Sequence, residues 1–426
     1  MTRDRLTRAA RIHGRDKVAV SEFELPATGA DELLLRVVSS SMCLSTYKAL
    51  SLGEEHKRVP DDVGDVPVMT GHEFAGVVEE VGSELTGRFT TGQSVAILPT
   101  MGLPSGYSPG YSYPYFGGDA TYCIVPKVAI DKGCVLPYPE SYFANASLAE
   151  PMSCIIGALH ANYHTQPLVW EHQMGIRSGG SLALLGCGGA MGIGAIDYAL
   201  HGPYHPSLVV AVDVSAERLQ RLRRLFPPEE ALARGTRLVF LDATGIDAKQ
   251  ALLQLADGQG YDDVVVFAAS KALAETGDAI LAQDGCLNFF AGPTDRSFAA
   301  SLNLYNVHYE STHVVGTSGG SRSDMEESLR LSASGDINPS RMVTHVGGLD
   351  AVPDALSTLP DFTGGKILIY PHIDMELTAI ADFAAAGDSR LARLAELCAP
   401  HDNIWNRDAE AYVLEAFAPR TGGPTR

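Results

Sequence analysis

Cysteine is scarce: seven residues in 426, at positions 43, 123, 134, 154, 187, 286 and 398, with no C-x-x-C pair. Thiols so few, so widely spaced and odd in number cannot staple a chain of this length. A disulfide scaffold is excluded, and a cytoplasmic setting is expected. Basic side chains are also in the minority, 32 against 51 acidic, giving a formal charge of −19. A nucleic-acid or anionic-membrane surface needs a net basic face, so those partners are excluded, although a local basic pocket is not. No stretch approaches 18 uninterrupted apolar residues, which excludes a membrane-spanning helix. The first residues, Met1 to Arg8, are charged and lead into no apolar core of signal-peptide length. Internal repeats and low-complexity tracts are missing as well.

What is present suits a folded, globular chain. Apolar residues make up 45% of the chain, ample for a core and against disorder. The 43 glycines, about a tenth of the residues against a usual ~7%, fit a turn-rich α/β protein better than a helical bundle. The length exceeds the roughly 250–300 residues that a single core holds, so at least two domains are expected.

From about 17 to 150 the chain reads as short strands punctuated by glycine and proline, among them Glu32–Val38, Gly76–Val81 and Ser94–Leu98. The tyrosine- and glycine-rich stretch 104–118 is a loop, expected to serve packing or a subunit contact. From about 178 to 316 apolar runs alternate with helical stretches: Ser181–Leu185, Leu208–Val212, Asp263–Phe267, Gly285–Phe290 and His313–Gly316. Near-continuous apolar strands separated by helices indicate a doubly wound parallel sheet covered on both faces. A helix-like run from Asp324 to Ser334 precedes strand-like Arg341–Val346 and Lys366–Tyr370, and the last ~50 residues carry helical spacing.

The strand Ser181–Leu185 runs into Gly186, Cys187, Gly188, Gly189, Ala190, Met191 and Gly192, then into a helical stretch. Glycines at such a place let the backbone approach a pyrophosphate, which sits on the helix N-terminus. The G-x-G-x-x-x-G spacing is one residue longer than the usual fingerprint, and tight strand–helix packing is its plainer explanation. The next strand ends at Asp213, 21 residues after Gly192, where a carboxylate accepts hydrogen bonds from an adenosine ribose and repels a 2′-phosphate. NAD(H) is therefore favoured over NADP(H), with Arg218 able to moderate the preference.

Three further segments carry metal-ligand chemistry. Cys43 follows a strand, Gly71-His72-Glu73 turns into another, and Glu150-Pro151 reads as the opening of a helix. Thiolate, imidazole and carboxylate form a mixed set that suits zinc, and three protein ligands leave a position for water or a substrate oxygen. Taken singly, each has a structural explanation: a small buried thiol, a hydrogen-bonded core histidine, a helix cap.

Together these residues carry a family likeness. The run Gly71-His72-Glu73-x-x-Gly76-x5-Gly82 resembles the zinc signature of medium-chain alcohol dehydrogenases, and Cys43 with a hydroxyl at Ser45, Glu150-Pro151, the glycine loop and Asp213 follow in that family's order. The likeness spans about residues 17–371. Within the family the His-Glu and Glu-Pro pairs are similar to the polyol and sugar-phosphate branch, nearest to its L-sorbose-1-phosphate reductase type.

The resemblance implies a β-rich GroES-like catalytic domain (1–160, completed by 321–375), a Rossmann cofactor domain (161–320) and a helical C-terminal extension (376–426). It implies reversible oxidation of a secondary alcohol, with zinc held by Cys43, His72 and either Glu73 or Glu150. Gly186, Gly188, Gly189, Gly192, Asp213 and Arg218 would receive the coenzyme. It also implies a homodimer or homotetramer joined through edge strands near 313–316.

Departures from the family pattern sharpen the expectation. A four-cysteine structural zinc lobe is replaced by the 104–118 loop, so one zinc per chain is expected. The usual Asp three residues after the cysteine is Thr46, and the usual His five residues after it is Lys48. Ser45 becomes the candidate first proton carrier and Lys48 a relay or phosphate contact. Lys57 and Arg58 offer a basic pocket for a phosphorylated substrate. A zinc-free quinone or enoyl reductase, a non-catalytic NAD(P)H-binding protein and an isomerising enzyme with tightly held NAD are the rival readings on the same scaffold.

Overall fold

A computed structural model describes residues 5–419; the outermost residues of the charged N-terminus and of the C-terminal extension lie outside that range. The chain divides into two compact units, one formed by 1–150 and 343–426, the other by 151–342. The division falls ten residues before the expected boundary at 160 and returns about twenty residues later than 321. The C-terminal helices belong to the first unit.

In the first unit the central sheet runs, by neighbouring strands, Thr378–Ala379, Val343–Gly348, Lys366–Tyr370, Leu33–Ser41, Glu73–Val81, Ser94–Ile97 and Val135–Pro137, with Tyr122–Val125 also paired to Leu33–Ser41. Leu33–Ser41 is buried along nearly its whole length, which explains its run of Leu and Val without alternation. Its register sets the site: Ser41 lies opposite Glu73 on one side and Leu368 on the other. Beyond the strand, Cys43 is the N-cap of a nine-residue helix, Leu44–Leu52, which the strand-like sequence reading of this region overlooked.

The C-terminal helices Ser389–Cys398 and Arg407–Ala416 are tied to this unit by a buried polar cluster. Trp405 donates its indole N–H to Tyr370 Oη at 2.7 Å, and both Glu410 oxygens accept from the backbone N–H groups of Phe143 and Ala144 at 2.7 Å. Glu410 thus satisfies donors at the start of the helix Phe143–Ala161.

That helix corrects the reading of Glu150-Pro151 as a helix start. Both residues sit in its interior, Pro151 included. A proline there removes one backbone hydrogen bond and costs about 3 kcal/mol. Burial of Leu148, Ala149, Met152, Ile155 and Ile156 on the same helix offsets it. Apolar packing overrides the local signal.

The second unit contains a parallel sheet in the order Arg237–Asp242, Leu208–Asp213, Ser181–Leu185, Tyr261–Val266, Leu281–Phe289, His313–Val315. Every adjacent pair is parallel. The order reverses direction beside Ser181–Leu185, the switch point at which such sheets bind ligands. No helix among the described residues is long and apolar enough to cross a membrane.

Candidate metal centre and coenzyme loop

Sheet register and two turns bring distant donors together. Cys43 leaves its strand at the N-cap of Leu44–Leu52, while Gly71 turns the chain into Glu73–Val81 with φ of +83°. A Cβ at Gly71 would lie 2.5 Å from the Asp119 backbone nitrogen, so no other residue fits there. As a result a Cys43 sulfur, a His72 ring nitrogen and a Glu73 carboxylate oxygen all lie within 4.8 Å of one another. Soft sulfur, imidazole and hard oxygen in one cradle fit zinc by donor chemistry.

His72 is buried, and its Nδ1 lies 3.3 Å from Thr46 Oγ1. Thr46 thus orients the ring and leaves Nε2 3.4 Å from Ser45 Oγ and 3.9 Å from Glu73 Oε1. In the Nδ1-protonated tautomer the Nε2 lone pair is free for a metal. Burial holds the imidazole below its ordinary pKa, against the pull of the Glu150 and Glu73 charges, which keeps it in the neutral, ligating form.

Glu73 has a second partner that the sequence reading missed. Lys366, buried, donates from Nζ to both Glu73 oxygens at 2.5 and 2.6 Å, and Ser41 Oγ donates to the same carboxylate. Burial pushes the Glu73 carboxyl up to about 7, opposed by the Lys366 ammonium. Burial also disfavours the Lys366 charge, yet Glu73, Cys43 and Glu150 more than offset this and hold its pKa above the ordinary value. Glu150 is buried and lies outside the 4.8 Å set, although its charge reaches His72, Tyr111 and Lys366.

Ser45 places its hydroxyl 3.1 Å from Cys43 Sγ, 3.4 Å from His72 Nε2 and 2.7 Å from Tyr111 Oη. Tyr111 Oη is itself 3.3 Å from His72 Nε2. This tyrosine comes from the 104–118 loop, for which packing or a subunit contact was expected. It is fully buried in a core cluster, as packing requires, and its hydroxyl also faces the donor atoms. Gly110, with φ of +74°, makes the approach possible: a Cβ there would lie 2.4 Å from the Gly71 carbonyl oxygen. His56 stacks on the Tyr111 ring at 5.9 Å, and the Arg58 guanidinium lies 5.1 Å from the ring centroid. Lys48 is half-buried on the helix face of Ser45, three residues on, whereas Lys57 is exposed.

In the other unit the glycine loop leaves Ser181–Leu185 at Gly186, whose φ is +70°. It enters the helix Ala190–His201 with Gly189 as N-cap, three residues earlier than the sequence suggested. A Cβ on Gly192 would lie 1.9 Å from the Cys187 carbonyl, so that glycine is required by close packing. Asp213 ends its strand with one oxygen accepting from Gly188 N–H at 2.8 Å and the other from Val214 and Ser215 N–H at 2.9 Å. Arg218, half-buried, lies beside this loop in the first turn of Ala216–Leu225. Residues 186–192, Asp213 and Arg218 therefore meet in one place.

Comparisons with known proteins identify the family. Residues 190–334 match the family model for the zinc-binding dehydrogenase domain, and residues 29–136 match the alcohol dehydrogenase GroES-like domain. The chain is 56% identical to mannitol-1-phosphate 5-dehydrogenase of Aliivibrio fischeri over 96% of its own length and 98% of that protein's. It is 42% identical to L-sorbose 1-phosphate reductase of Klebsiella pneumoniae, covering 96% and 97%. Among solved structures, 2R,3R-butanediol dehydrogenase from Bacillus subtilis shares the fold at a TM-score of 0.69, with 20% identity over 86% of this chain and 99% of the other. The chain belongs to the zinc-binding dehydrogenase family, an enzyme of the oxidoreductase class with GroES-like and Rossmann-like parts.

Proposed function

We propose that the protein is a zinc-dependent, NAD(H)-preferring dehydrogenase that interconverts a secondary alcohol and a ketone on a polyol or sugar phosphate. The observation that carries this reading is the approach of the Cys43 thiol to the His72 imidazole beside two buried carboxylates, Glu73 in the same 4.8 Å set and Glu150, whose charge reaches His72. A zinc-free reductase has no use for that set. When bound, zinc supplies Lewis-acid polarisation of the substrate oxygen and the nicotinamide exchanges the hydride.

Cys43 and His72 would hold the metal with Glu150 as third ligand. Both Glu73 oxygens are engaged by Lys366, so Glu73 serves as the buried counter-charge behind His72. The charges support this division: thiolate and Glu150 balance a divalent ion, while Glu73 and Lys366 balance each other. One zinc per chain is the reading, since the 104–118 loop contains no cysteine.

The protein's own part in the reaction is to orient the alcohol. Ser45 Oγ, beside the ligand atoms, is placed to hydrogen-bond the substrate hydroxyl, and Tyr111 Oη at 2.7 Å holds it in position. Lys48, one turn further along the Ser45 helix, adds positive charge on that side. On the coenzyme side the glycine loop receives the pyrophosphate, and Asp213 exchanges its Gly188 bond for the ribose hydroxyls and repels a 2′-phosphate.

Seven free thiols support a reducing, cytoplasmic setting. The edge strand His313–Val315, with Val314, Leu304, Tyr305 and Tyr309 exposed nearby in sequence, supports a homo-oligomer.

The test is a panel of polyols and their phosphates, D-mannitol 1-phosphate and L-sorbose 1-phosphate included, with NAD(H) and NADP(H) followed by nicotinamide absorbance. Turnover with NAD(H) at least about tenfold above NADP(H), some 1.4 kcal/mol of discrimination, is expected. Absence of turnover across the panel, or equal use of both coenzymes, would contradict the reading.

A further inference from the structure

Resting on the functional reading above, we propose that Arg58 is the phosphate anchor of the substrate site and that the enzyme recognises the phosphorylated form of its polyol or ketose. The first observation is position. The Arg58 guanidinium lies 5.1 Å from the centroid of the Tyr111 ring, and the hydroxyl of that tyrosine is 3.3 Å from His72 Nε2 and 2.7 Å from Ser45 Oγ. Arg58 is therefore one aromatic ring away from the donors. Its main chain is pinned there, with Ser112 Oγ donating to the Arg58 carbonyl at 2.6 Å and its own N–H meeting His56 Nδ1 at 3.3 Å.

The second observation is the partnering of its charge. In the same unit Arg5, Arg8, Arg15 and Arg36 each pair with a carboxylate, and Arg11 and Arg88, which also lie over aromatic rings, donate to backbone carbonyls. Arg58, half-buried, has no carboxylate partner among the described residues. A guanidinium held by a tyrosine face with its N–H fork unmatched suits a phosphate, which it grips through two parallel hydrogen bonds.

The third observation is electrostatic need. The chain carries a formal charge of −19, and Glu73 and Glu150 lie close to the donor cluster, so a phosphate dianion would be repelled without a local cation. Arg58 acts at the right point: its charge is felt at both His72 and Tyr111. Lys48 and Lys57 join it in depressing the neighbouring His56, whose burial is the larger cause, so His56 stays neutral and contributes a ring rather than a charge. Lys57, adjacent in sequence and equally basic, is exposed and has no such position. Of the two basic residues offered by the sequence, the structure assigns the role to the second.

The experiment compares wild type, Arg58→Ala, Arg58→Lys and Lys57→Ala as holoenzymes. Steady-state kinetics would use D-mannitol 1-phosphate against D-mannitol and L-sorbose 1-phosphate against L-sorbose. Calorimetric titration with D-mannitol 1-phosphate and, separately, with NADH would accompany them. Loss of a charged hydrogen-bond pair is expected to lower kcat/KM for the phosphorylated substrates about a hundredfold in Arg58→Ala, mainly through KM. That loss should exceed the loss on the unphosphorylated compounds by at least about thirtyfold. Arg58→Lys should fall between, keeping charge without the fork, and Lys57→Ala should stay within about twofold of wild type. NADH affinity should not move.

Equal losses on both substrate forms would show Arg58 to be a support for Tyr111 and overturn the assignment. So would an unchanged KM for the phosphorylated substrate. A drop in NADH affinity without one for D-mannitol 1-phosphate would place the coenzyme's phosphates there and overturn it as well. Should wild type turn over neither form, the dehydrogenase reading fails on its own. The titration then still decides about Arg58, since binding of D-mannitol 1-phosphate that is lost in Arg58→Ala upholds the anchor and undiminished binding refutes it.

Discussion

Cys43→Ser is expected to abolish bound zinc and turnover together. Replacing thiolate with hydroxyl removes the one soft donor from the set around His72, and the remaining imidazole and carboxylates compete poorly for zinc. Lewis-acid stabilisation by a bound metal supplies several kcal/mol, and about 4 kcal/mol corresponds to a thousandfold in rate. Turnover should therefore fall by at least about a thousandfold while zinc drops below roughly a tenth of an equivalent per chain. The melting temperature of the unit that lacks Cys43 should stay put, because 151–342 has a core of its own around Val210, Val264 and Leu287. Glu150→Gln should lose most of the zinc as well. A Cys43→Ser enzyme that turns over at the wild-type rate without metal would remove zinc from the chemistry.

The second large effect is expected from Lys366→Met. Glu73 and Lys366 are both buried, joined by hydrogen bonds of 2.5 and 2.6 Å, and they bridge the strand carrying the metal motif to a strand 293 residues later. Removing only the cation leaves a buried carboxylate whose remaining donor is Ser41. Breaking such a pair from one side costs about 3–5 kcal/mol. For a unit of this size about 3 kcal/mol amounts to a fall of roughly 6–12 °C in Tm. The double variant Glu73→Gln/Lys366→Met leaves no orphaned charge and should recover most of that loss. Calorimetry distinguishes the cases: a single variant melting within a degree or two of wild type, or a double variant no better than the single, would show the pair to be energetically idle.

The sequence makes the second unit readable because its strands are buried on both faces. Ser181–Leu185, Leu208–Asp213 and Tyr261–Val266 are nearly continuous apolar runs, and helices must separate them if they are parallel. The glycine loop and Asp213 are legible for the same local reason: a strand, a turn and a helix follow one another within 33 residues. Cys43, His72 and Glu73 are legible only through their family pattern, since nothing local marks a buried histidine as a ligand.

Other parts of the site depend on contacts that the sequence does not carry. Lys366 begins an apolar strand, and a charge there signals something buried, but its partner follows from strand register alone. Tyr111 is one of five aromatic residues in an irregular loop, where no period of two or 3.6 indicates which one turns inward. The same holds for Arg58 beside Lys57. Pro151 misled in the opposite direction: its usual meaning at a helix start yielded to the buried apolar face of Phe143–Ala161.

Zinc X-ray absorption on the purified enzyme, together with its metal content, bears most directly on the central claim. It should show about one zinc per chain, with a single sulfur neighbour at about 2.3 Å and nitrogen or oxygen neighbours at about 2.0–2.2 Å. A shell of four sulfurs, or a zinc-free enzyme with full turnover, would contradict it.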